Sequence, residues 1–334
     1  MIYKEYNFAD TNIFKLLGRT KKEDSSLMLP WSYGGIAFNF TGTGLILSFK
    51  KQDADCVAYL RVTVDGKSAR YGISDGREVI IIEGLEEGTH YAEIIRVTEG
   101  MTPVTLDNIK ITGTNPVITD RPSDKKLKIE FIGDSITCGY GVAAPAEVNV
   151  FNTYEEDCTL TYAYAAAKLL DADISFAGAS GKGIVANCVG NREDMTLRQA
   201  FDWETRQGGR WNHNNFIPNI VVVNAGTNDA WGGVSHEEYI KTAVEFTLEI
   251  RECYPDAAIL WVYGIMDTSK LDAVEKAVEL ANATDKNKNV HFLAVKDMNS
   301  VGGEVGGGGH PNVNTTKRVA PLLAGKIKEI LNLQ

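Results

Sequence analysis

The sequence predicts an α/β fold: a three-layer α/β/α domain with a five-stranded parallel sheet, preceded by an all-β jelly-roll sandwich domain. Apolar residues alternate with period two over the first third of the chain. After residue 118, apolar strands alternate with helical segments. A chain of 334 residues also exceeds the ~100–200 residues typical of one domain. We therefore assign residues 1–118 to the sandwich domain, 119–127 to a polar, proline-containing linker and 128–334 to the α/β domain.

Six alternating segments in residues 1–118 predict antiparallel strands. Turn signals separate them, among them Asp65-Gly66, Ser74-Asp75-Gly76 and Glu87-Gly88. No convincing helix lies between the segments, which is typical of a sandwich such as a jelly roll. The predicted strands are IAFNF (36–40), LILSF (45–49), AYLRVTV (58–64), VIIIEG (79–84), YAEIIRV (91–97) and DNIKITG (107–113).

Beyond the linker, strands and helices alternate, which predicts a parallel sheet covered on both faces. The predicted strands are KIEFI (128–132), DISFAG (173–178), NIVVVNAG (219–226), AILWVYG (258–264) and VHFLAV (290–295). The predicted helices cover 159–170, 235–254, 271–283 and 315–331, and the second opens with a capping box from Ser235 to Glu238. Ligands bind such sheets at the carboxyl ends of the strands.

The composition excludes several function classes. A net charge of −10 argues against nucleic-acid partners and against binding to an anionic membrane surface. No apolar run reaches the ~20 residues of a membrane span. The five cysteines lack CxxC or Cys/His spacing, so we expect free thiols and no metal site. The first twenty residues lack the apolar core of a secretory signal. We therefore expect a cytoplasmic protein, or a secreted one if the natural chain begins upstream.

The stretch FIGDSITCGYG (131–141) places Ser135 just past a strand end. A serine there is either a helix N-cap or a nucleophile on a tight turn. A nucleophile needs a base, and the best histidine candidate is His310, which follows four glycines and precedes Pro311. His213, in the polar loop WNHNN, remains open as an alternative base.

Two further strand-end loops offer donors for an oxyanion, the charged oxygen of a tetrahedral acyl-transfer intermediate. FAGASGKGI (176–184) offers the Gly181 N–H group, and NAGTNDAW (224–231) offers the side-chain amide of Asn228. Because these loops, the Ser135 loop and the His310 loop all follow strand ends, we expect them to share one rim of the sheet.

Taken in order, four blocks resemble the SGNH (GDSL-type) hydrolase superfamily. They are Gly133-Asp134-Ser135, Ser180-Gly181, Gly226-Thr227-Asn228-Asp229 and His310-Pro311. The resemblance implies that Ser135 is the nucleophile and His310 the base. It also implies an oxyanion hole made of the Ser135 N–H, the Gly181 N–H and the Asn228 amide.

A narrower resemblance covers the whole chain. Leu17-Gly18-Arg19-Thr20, FTGTGL (40–45) and the Ser135 block look like carbohydrate esterase family 2 acetyl esterases. These proteins have a jelly-roll domain before an SGNH domain. The resemblance implies a serine esterase that removes O-acetyl groups from xylan or glucomannan, without metal or cofactor, and an acetylated carbohydrate as partner.

Two other functions stay open at this point. One is an SGNH esterase, lipase or thioesterase acting on another acyl group, and the other is a catalytically inert carbohydrate-binding protein. The role of the first domain, glycan binding or structural support, also stays open, and the sequence does not determine the oligomeric state.

One departure from the family concerns the histidine. Most SGNH enzymes carry an aspartate three residues before it, where this chain has Gly307, and the nearest upstream acids are Glu304 and Asp297. An imidazole base needs one ring nitrogen to donate to a fixed acceptor while the other accepts. The resemblance to family 2 esterases implies such a dyad, in which a backbone carbonyl holds the imidazole. We therefore predict a Ser135–His310 dyad whose imidazole is held by a main-chain carbonyl.

Sugar contacts are predicted from aromatic residues near these loops. Trp231 follows the Asn228 block, and its ring either stacks on a sugar or packs within the loop. Tyr140 and Trp211 are further candidates for substrate binding. Asp134 and Asp229 are expected to accept hydrogen bonds from their own turns.

Overall fold

The computed structural model describes residues 2–51, 56–73 and 79–333. The chain divides into two compact units. The first comprises Met1–Asp124 together with Glu204–Arg206, and the second comprises Lys125–Trp203 together with Gln207–Gln334. The predicted turn at Ser74-Asp75-Gly76 lies outside the described residues.

The first unit is built from short and medium strands. Within the described residues these are β1 (Ile2–Asn7), β2 (Lys15–Leu17), β3 (Lys21–Glu23), β4 (Ser26–Met28), β5 (Gly35–Gly42), β6 (Gly44–Phe49), β7 (Ala58–Val64), β8 (Lys67–Ile73), β9 (Val79–Ile82), β10 (Gly88–Arg96), β11 (Thr105–Gly113) and β12 (Val117–Ile118).

These strands form two antiparallel sheets. One has the order β3-β4-β11-β6-β9 with β1 added on β11, and the other has the order β12-β5-β10-β7-β8 with β2 added on β5. Alternate residues of β7, such as Leu60 and Val62, are buried in a core that also holds Phe38 and Leu47. The predicted all-β domain is confirmed, and each of the six predicted strands is present.

The second unit alternates strands and helices. Its strands are β13 (Leu127–Gly133), β14 (Ala172–Gly178), β16 (Gly208–Arg210), β17 (Ile220–Asn224), β18 (Ala258–Tyr263) and β19 (Val290–Ala294). The short strand β15 (Trp203–Thr205) precedes β16 in the chain, and its last two residues belong to the first unit. Its α-helices are α1 (Ser135–Cys138), α2 (Tyr162–Leu169), α3 (Leu197–Asp202), α4 (Thr227–Trp231), α5 (His236–Cys253), α6 (Leu271–Thr284) and α7 (Val313–Leu331).

Five of these strands form one parallel sheet in the order β14-β13-β17-β18-β19, so the predicted five-stranded parallel sheet and three-layer fold are confirmed. Helices α5 and α6 pack on one face through residues such as Phe246 and Val274, against Val221 and Trp261 of the strands. Helices α2 and α7 pack against each other. Among the described residues, no helix combines the length and apolar composition needed to span a membrane.

The register of the central strands brings the candidate loops together. Gly133 at the end of β13 pairs with Gly178 at the end of β14 and with Asn224 at the end of β17. The loops that carry Ser135, Gly181 and Asn228 therefore leave the sheet at one level. This is the carboxyl edge, where ligands of such sheets bind.

Candidate active site

Ser135 is the first residue of α1 and is not its N-cap. Asp134 is the cap: its Oδ1 accepts a hydrogen bond from Ile136 N–H at 3.0 Å. The Ser135 N–H makes no hydrogen bond within the described part of the chain, as is usual for the first N–H groups of a helix. The Ser135 side chain therefore has no capping role, and the Ser135 N–H group is available to donate to a ligand.

His310 lies beside this serine. Its Nε2 is 2.8 Å from Ser135 Oγ, and its Nδ1 is 3.0 Å from the carbonyl oxygen of Gly308. A neutral imidazole carries one proton. With that proton on Nδ1 donated to Gly308, Nε2 is the acceptor for the Ser135 hydroxyl. This is the arrangement a serine needs to become a nucleophile.

Backbone hydrogen bonds shape the loop that holds the histidine. Gly306 N–H donates to His310 O at 2.6 Å, Gly307 N–H to Gly141 O at 3.0 Å, and Gly308 N–H to Val148 O at 2.7 Å. Gly308 has a φ of +60°, in the left-handed region that favours glycine. The carbonyl that faces Nδ1 is thus set by main-chain geometry.

The nearest upstream acids serve other contacts. Glu304 is buried, and both its carboxylate oxygens accept from Arg318, at 2.7 and 2.6 Å. Asp297 accepts from the N–H of Asn299 at 3.0 Å and caps a short 3₁₀ turn. Glu304 therefore anchors the loop to α7, whose residues include Arg318.

The predicted oxyanion donors differ in how they are engaged. Like that of Ser135, the Gly181 N–H makes no hydrogen bond among the described residues. The Asn228 amide instead donates to Asp134 Oδ2 at 2.9 Å and to the Lys182 carbonyl at 3.1 Å. Both of its hydrogens are in use, so donating to a substrate oxygen requires it to give up or share one bond.

Two buried carboxyl groups lie under the site. Burial, together with the charge of Asp229, raises the pKa of Asp134 to about 7, against the lowering effect of the hydrogen bonds from Ile136 and Asn228. Burial likewise raises the pKa of Asp229. Charged groups are costly to bury without compensation, which accounts for the donors directed at both.

The sequence predicts that Asp229 accepts hydrogen bonds from its own turn, and the structure shows that it also bonds to another loop. Its carboxylate accepts from three consecutive backbone N–H groups of the loop after Gly181, those of Ile184 (3.1 Å), Val185 (2.8 Å) and Ala186 (3.1 Å). No local sequence signal links Asp229 to these residues, because the contact joins two separate loops.

The three predicted sugar-contacting aromatics lie in different environments. Trp231 ends α4 with 55% of its surface exposed. The Tyr140 ring is half-buried, with its centroid 4.3 Å from that of His310 and 4.7 Å from that of Phe151. Trp211 is only 4% exposed, so its position gives no support to the prediction that it contacts a sugar. No pattern in the sequence indicated the contact between the rings of Tyr140 and Phe151.

His213, the alternative base, contacts other residues. Its Nδ1 is 3.0 Å from Tyr254 Oη and its Nε2 is 3.4 Å from Asp202 Oδ1. Asp202, His213 and Cys253 offer possible metal-ligand atoms within 4.8 Å of one another. Burial raises the pKa of the Cys253 thiol to about 11, whereas a metal binds the thiolate. We assign no metal to this group, which precedes β17 and β18 at the amino edge of the sheet.

Comparison with known proteins gives two family matches. Residues 131–315 match the GDSL-like lipase/acylhydrolase family, and residues 16–119 match the carbohydrate esterase 2 N-terminal family. The first match contains Ser135, Gly181, Asn228 and His310.

Similar individual proteins cover most of the chain. The cellulase/esterase CelE of Acetivibrio thermocellus is 27% identical over 90% of this chain and 37% of its own length. An acetylxylan esterase/glucomannan deacetylase of Cellvibrio japonicus is 25% identical over 83% of this chain and 77% of its own length. The chain thus spans little more than a third of the first of these relatives.

Among solved structures, a family two carbohydrate esterase from Clostridium thermocellum, in complex with cellohexaose, has a TM-score of 0.86. It is 25% identical to this chain, and the match covers 96% of this chain and 100% of the other. The match spans both the all-β and the α/β regions.

Proposed function

Since the chain belongs to the GDSL-like lipase/acylhydrolase family, we propose that it is a carboxylic ester hydrolase that removes O-acetyl groups from plant-type polysaccharides or oligosaccharides, such as xylan and glucomannan. The observation that carries the proposal is the 2.8 Å hydrogen bond between Ser135 Oγ and His310 Nε2. The names of the relatives, acetylxylan esterase and glucomannan deacetylase, support the choice of substrate class.

The proposed mechanism is a two-step acyl transfer. His310 Nε2 takes the hydroxyl proton while Ser135 Oγ attacks the acetyl carbonyl carbon. The Ser135 N–H, the Gly181 N–H and the Asn228 amide stabilise the oxyanion. His310 then protonates the departing sugar oxygen. Water, deprotonated by the same ring, hydrolyses the acetyl-enzyme and frees the serine.

We further propose that Ser135 and His310 act as a dyad. The Gly308 carbonyl accepts from Nδ1–H and so fixes the tautomer in which Nε2 accepts the proton of Ser135. A carbonyl has no full charge, so it stabilises the imidazolium less than a carboxylate does. The ring contact with Tyr140 gives the imidazole a second means of orientation.

A carboxylate at the usual family position is expected to impair this arrangement. A Cβ atom at Gly307 would lie 2.7 Å from Ala144 Cβ and 3.3 Å from Gly141 Cα, so Gly307→Asp displaces the loop that carries Gly308. We expect a loss of about 1–3 kcal/mol of stability from overpacking and at least a tenfold loss of kcat. Urea unfolding and 4-nitrophenyl acetate hydrolysis measure the two effects, and a Gly307→Asp variant with higher kcat than wild type would contradict the dyad.

Trp231 is proposed to stack on a sugar ring of the substrate. By analogy with aromatic stacking, such a contact is worth about 0.5–1.5 kcal/mol, so Trp231→Ala should raise KM for acetylated glucomannan about 2–10-fold. Hydrolysis of 4-nitrophenyl acetate, which has no sugar, serves as the internal control and should change less than twofold. An unchanged KM on glucomannan would assign Trp231 a packing role.

The proposed function is tested by acetate release from acetylated xylan, acetylated glucomannan and 4-nitrophenyl acetate. Wild type should release acetate from all three, and Ser135→Ala from none. A preference for longer acyl chains would instead indicate a lipase-like enzyme. Glycan binding without release from any ester would indicate a binding protein. The same binding assay on a Trp231→Ala variant would then report whether that residue contributes to glycan affinity.

A further inference from the structure

The loop Gly181–Cys188, here called the oxyanion loop, carries one of the proposed donors at its first residue. The loop closes on itself: Cys188 N–H donates to the Gly181 carbonyl at 2.9 Å, and Gly183 N–H donates to Asn187 Oδ1 at 3.3 Å. The position of the Gly181 N–H therefore depends on what holds the rest of this loop.

Helix α4 holds the oxyanion loop at two points. Asn228 donates to the Lys182 carbonyl, and the neighbouring Asp229 accepts from the N–H groups of Ile184, Val185 and Ala186. Hydrogen bonds to a charged acceptor are roughly twice as strong as neutral ones. Asp229 is fully buried, so water does not compete for it.

The loop is shaped to receive this carboxylate. A Cβ atom at Gly183 would lie 2.6 Å from both Asp229 oxygens, so only a glycine leaves room for them. The Asp229 carboxylate thus packs against the backbone of Gly183 and accepts hydrogen bonds from the next three N–H groups of the loop.

We propose that Asp229 is a positioning residue of the oxyanion hole, which fixes the Gly181 N–H relative to Ser135 and Asn228 without touching the substrate. Because Asn228 and Asp229 are adjacent on α4, the same helix carries one donor and anchors the loop of another. The inference rests on the proposed use of Ser135, Gly181 and Asn228 in acyl transfer. A displacement of about 1 Å at such a donor can cost 100-fold in rate.

Asp229→Asn tests the proposal, because the amide keeps the size but turns an NH₂ group toward backbone donors. The probe is diethyl 4-nitrophenyl phosphate: Ser135 Oγ forms a bond to phosphorus, 4-nitrophenolate leaves, and His310 takes the serine proton. We expect this reaction, followed by mass spectrometry of Ser135, to slow about 10–100-fold. Alkylation of His310 by iodoacetamide develops no oxyanion and should change less than twofold.

Asp285→Asn is the matched control. Asp285 is also a buried carboxylate, paired with Arg251 at 3.1 Å and accepting from Asn287 N–H, but it precedes β19 at the amino edge of the sheet. This variant should lose stability and keep its phosphorylation rate within twofold. Equal slowing in both variants, or equal slowing of phosphorylation and alkylation in Asp229→Asn, would overturn the proposal.

If Asp229→Asn does not fold, Asp229→Glu replaces it. The longer side chain keeps the charge but shifts the acceptor, and a fall of at least fivefold in the phosphorylation rate supports the proposal, whereas a smaller fall overturns it. The probe is not an acyl ester, so a wild-type protein that is phosphorylated but releases no acetate would count against the proposed function alone.

Discussion

His310→Ala is expected to lower kcat for 4-nitrophenyl acetate about 10⁴–10⁶-fold with little change in KM, because the base is removed while the substrate site remains. Removing either member of a nucleophile–base pair loses nearly the full catalytic effect of the pair. Ser135→Ala should lower kcat by a similar factor. Initial rates over a range of ester concentrations separate kcat from KM.

Two variants serve as controls for this result. His213→Ala removes an imidazole that contacts Tyr254 and Asp202, and should leave kcat within twofold. Glu304→Gln weakens the ion pair with Arg318, so it should lower stability and keep most of kcat. A loss in Glu304→Gln or Asp297→Asn as complete as that in His310→Ala would mean that a carboxylate completes the catalytic unit.

Asn228→Ala is expected to lower kcat about 10²–10³-fold, the usual effect of removing one oxyanion donor. The change also leaves Asp134 Oδ2 without the amide that donates to it at 2.9 Å and releases the Lys182 carbonyl. Thermal stability should therefore fall as well. Steady-state kinetics and a thermal unfolding curve measure the two losses independently.

Asn282→Ala controls for the loss of a structural amide. Asn282 donates to the Val290 carbonyl at 2.7 Å and accepts from the Val290 N–H at 3.1 Å, at the amino edge of the sheet. It should lower the melting temperature without changing kcat. If Asn228→Ala behaved in the same way, or raised KM alone, Asn228 would be a structural residue and not an oxyanion donor.

The sequence contained enough to predict the fold class and to select Ser135 and His310 for a common rim. Alternation with period two and the strand–helix succession depend on local burial patterns, which a single chain displays directly. The glycines before His310 indicated a tightly bent backbone. Which carbonyl faces Nδ1 depends on the φ of Gly308 and on its bond to Val148, which no local pattern specifies.

Burial and long-range partners were the features the sequence could not supply. Trp211 and Trp231 both lie in segments that the sequence predicts as loops, yet Trp211 is buried and Trp231 is exposed, because the packing of distant elements determines burial. Asp229 similarly bonds a loop more than forty residues upstream. Short strands such as β2 and β3 have too few residues for an alternating pattern to be recognised.

The pairing of Gly133 with Gly178 and Asn224 also sets limits for redesigning the protein. Each residue advances a strand by about 3.3 Å, so a single insertion in β13, β14 or β17 would move one loop out of reach of the others. Deletions and insertions should therefore be tolerated far better in the connections at the amino edge. A library that varies those connections while keeping the three strand lengths fixed has the best prospect of retaining an active enzyme.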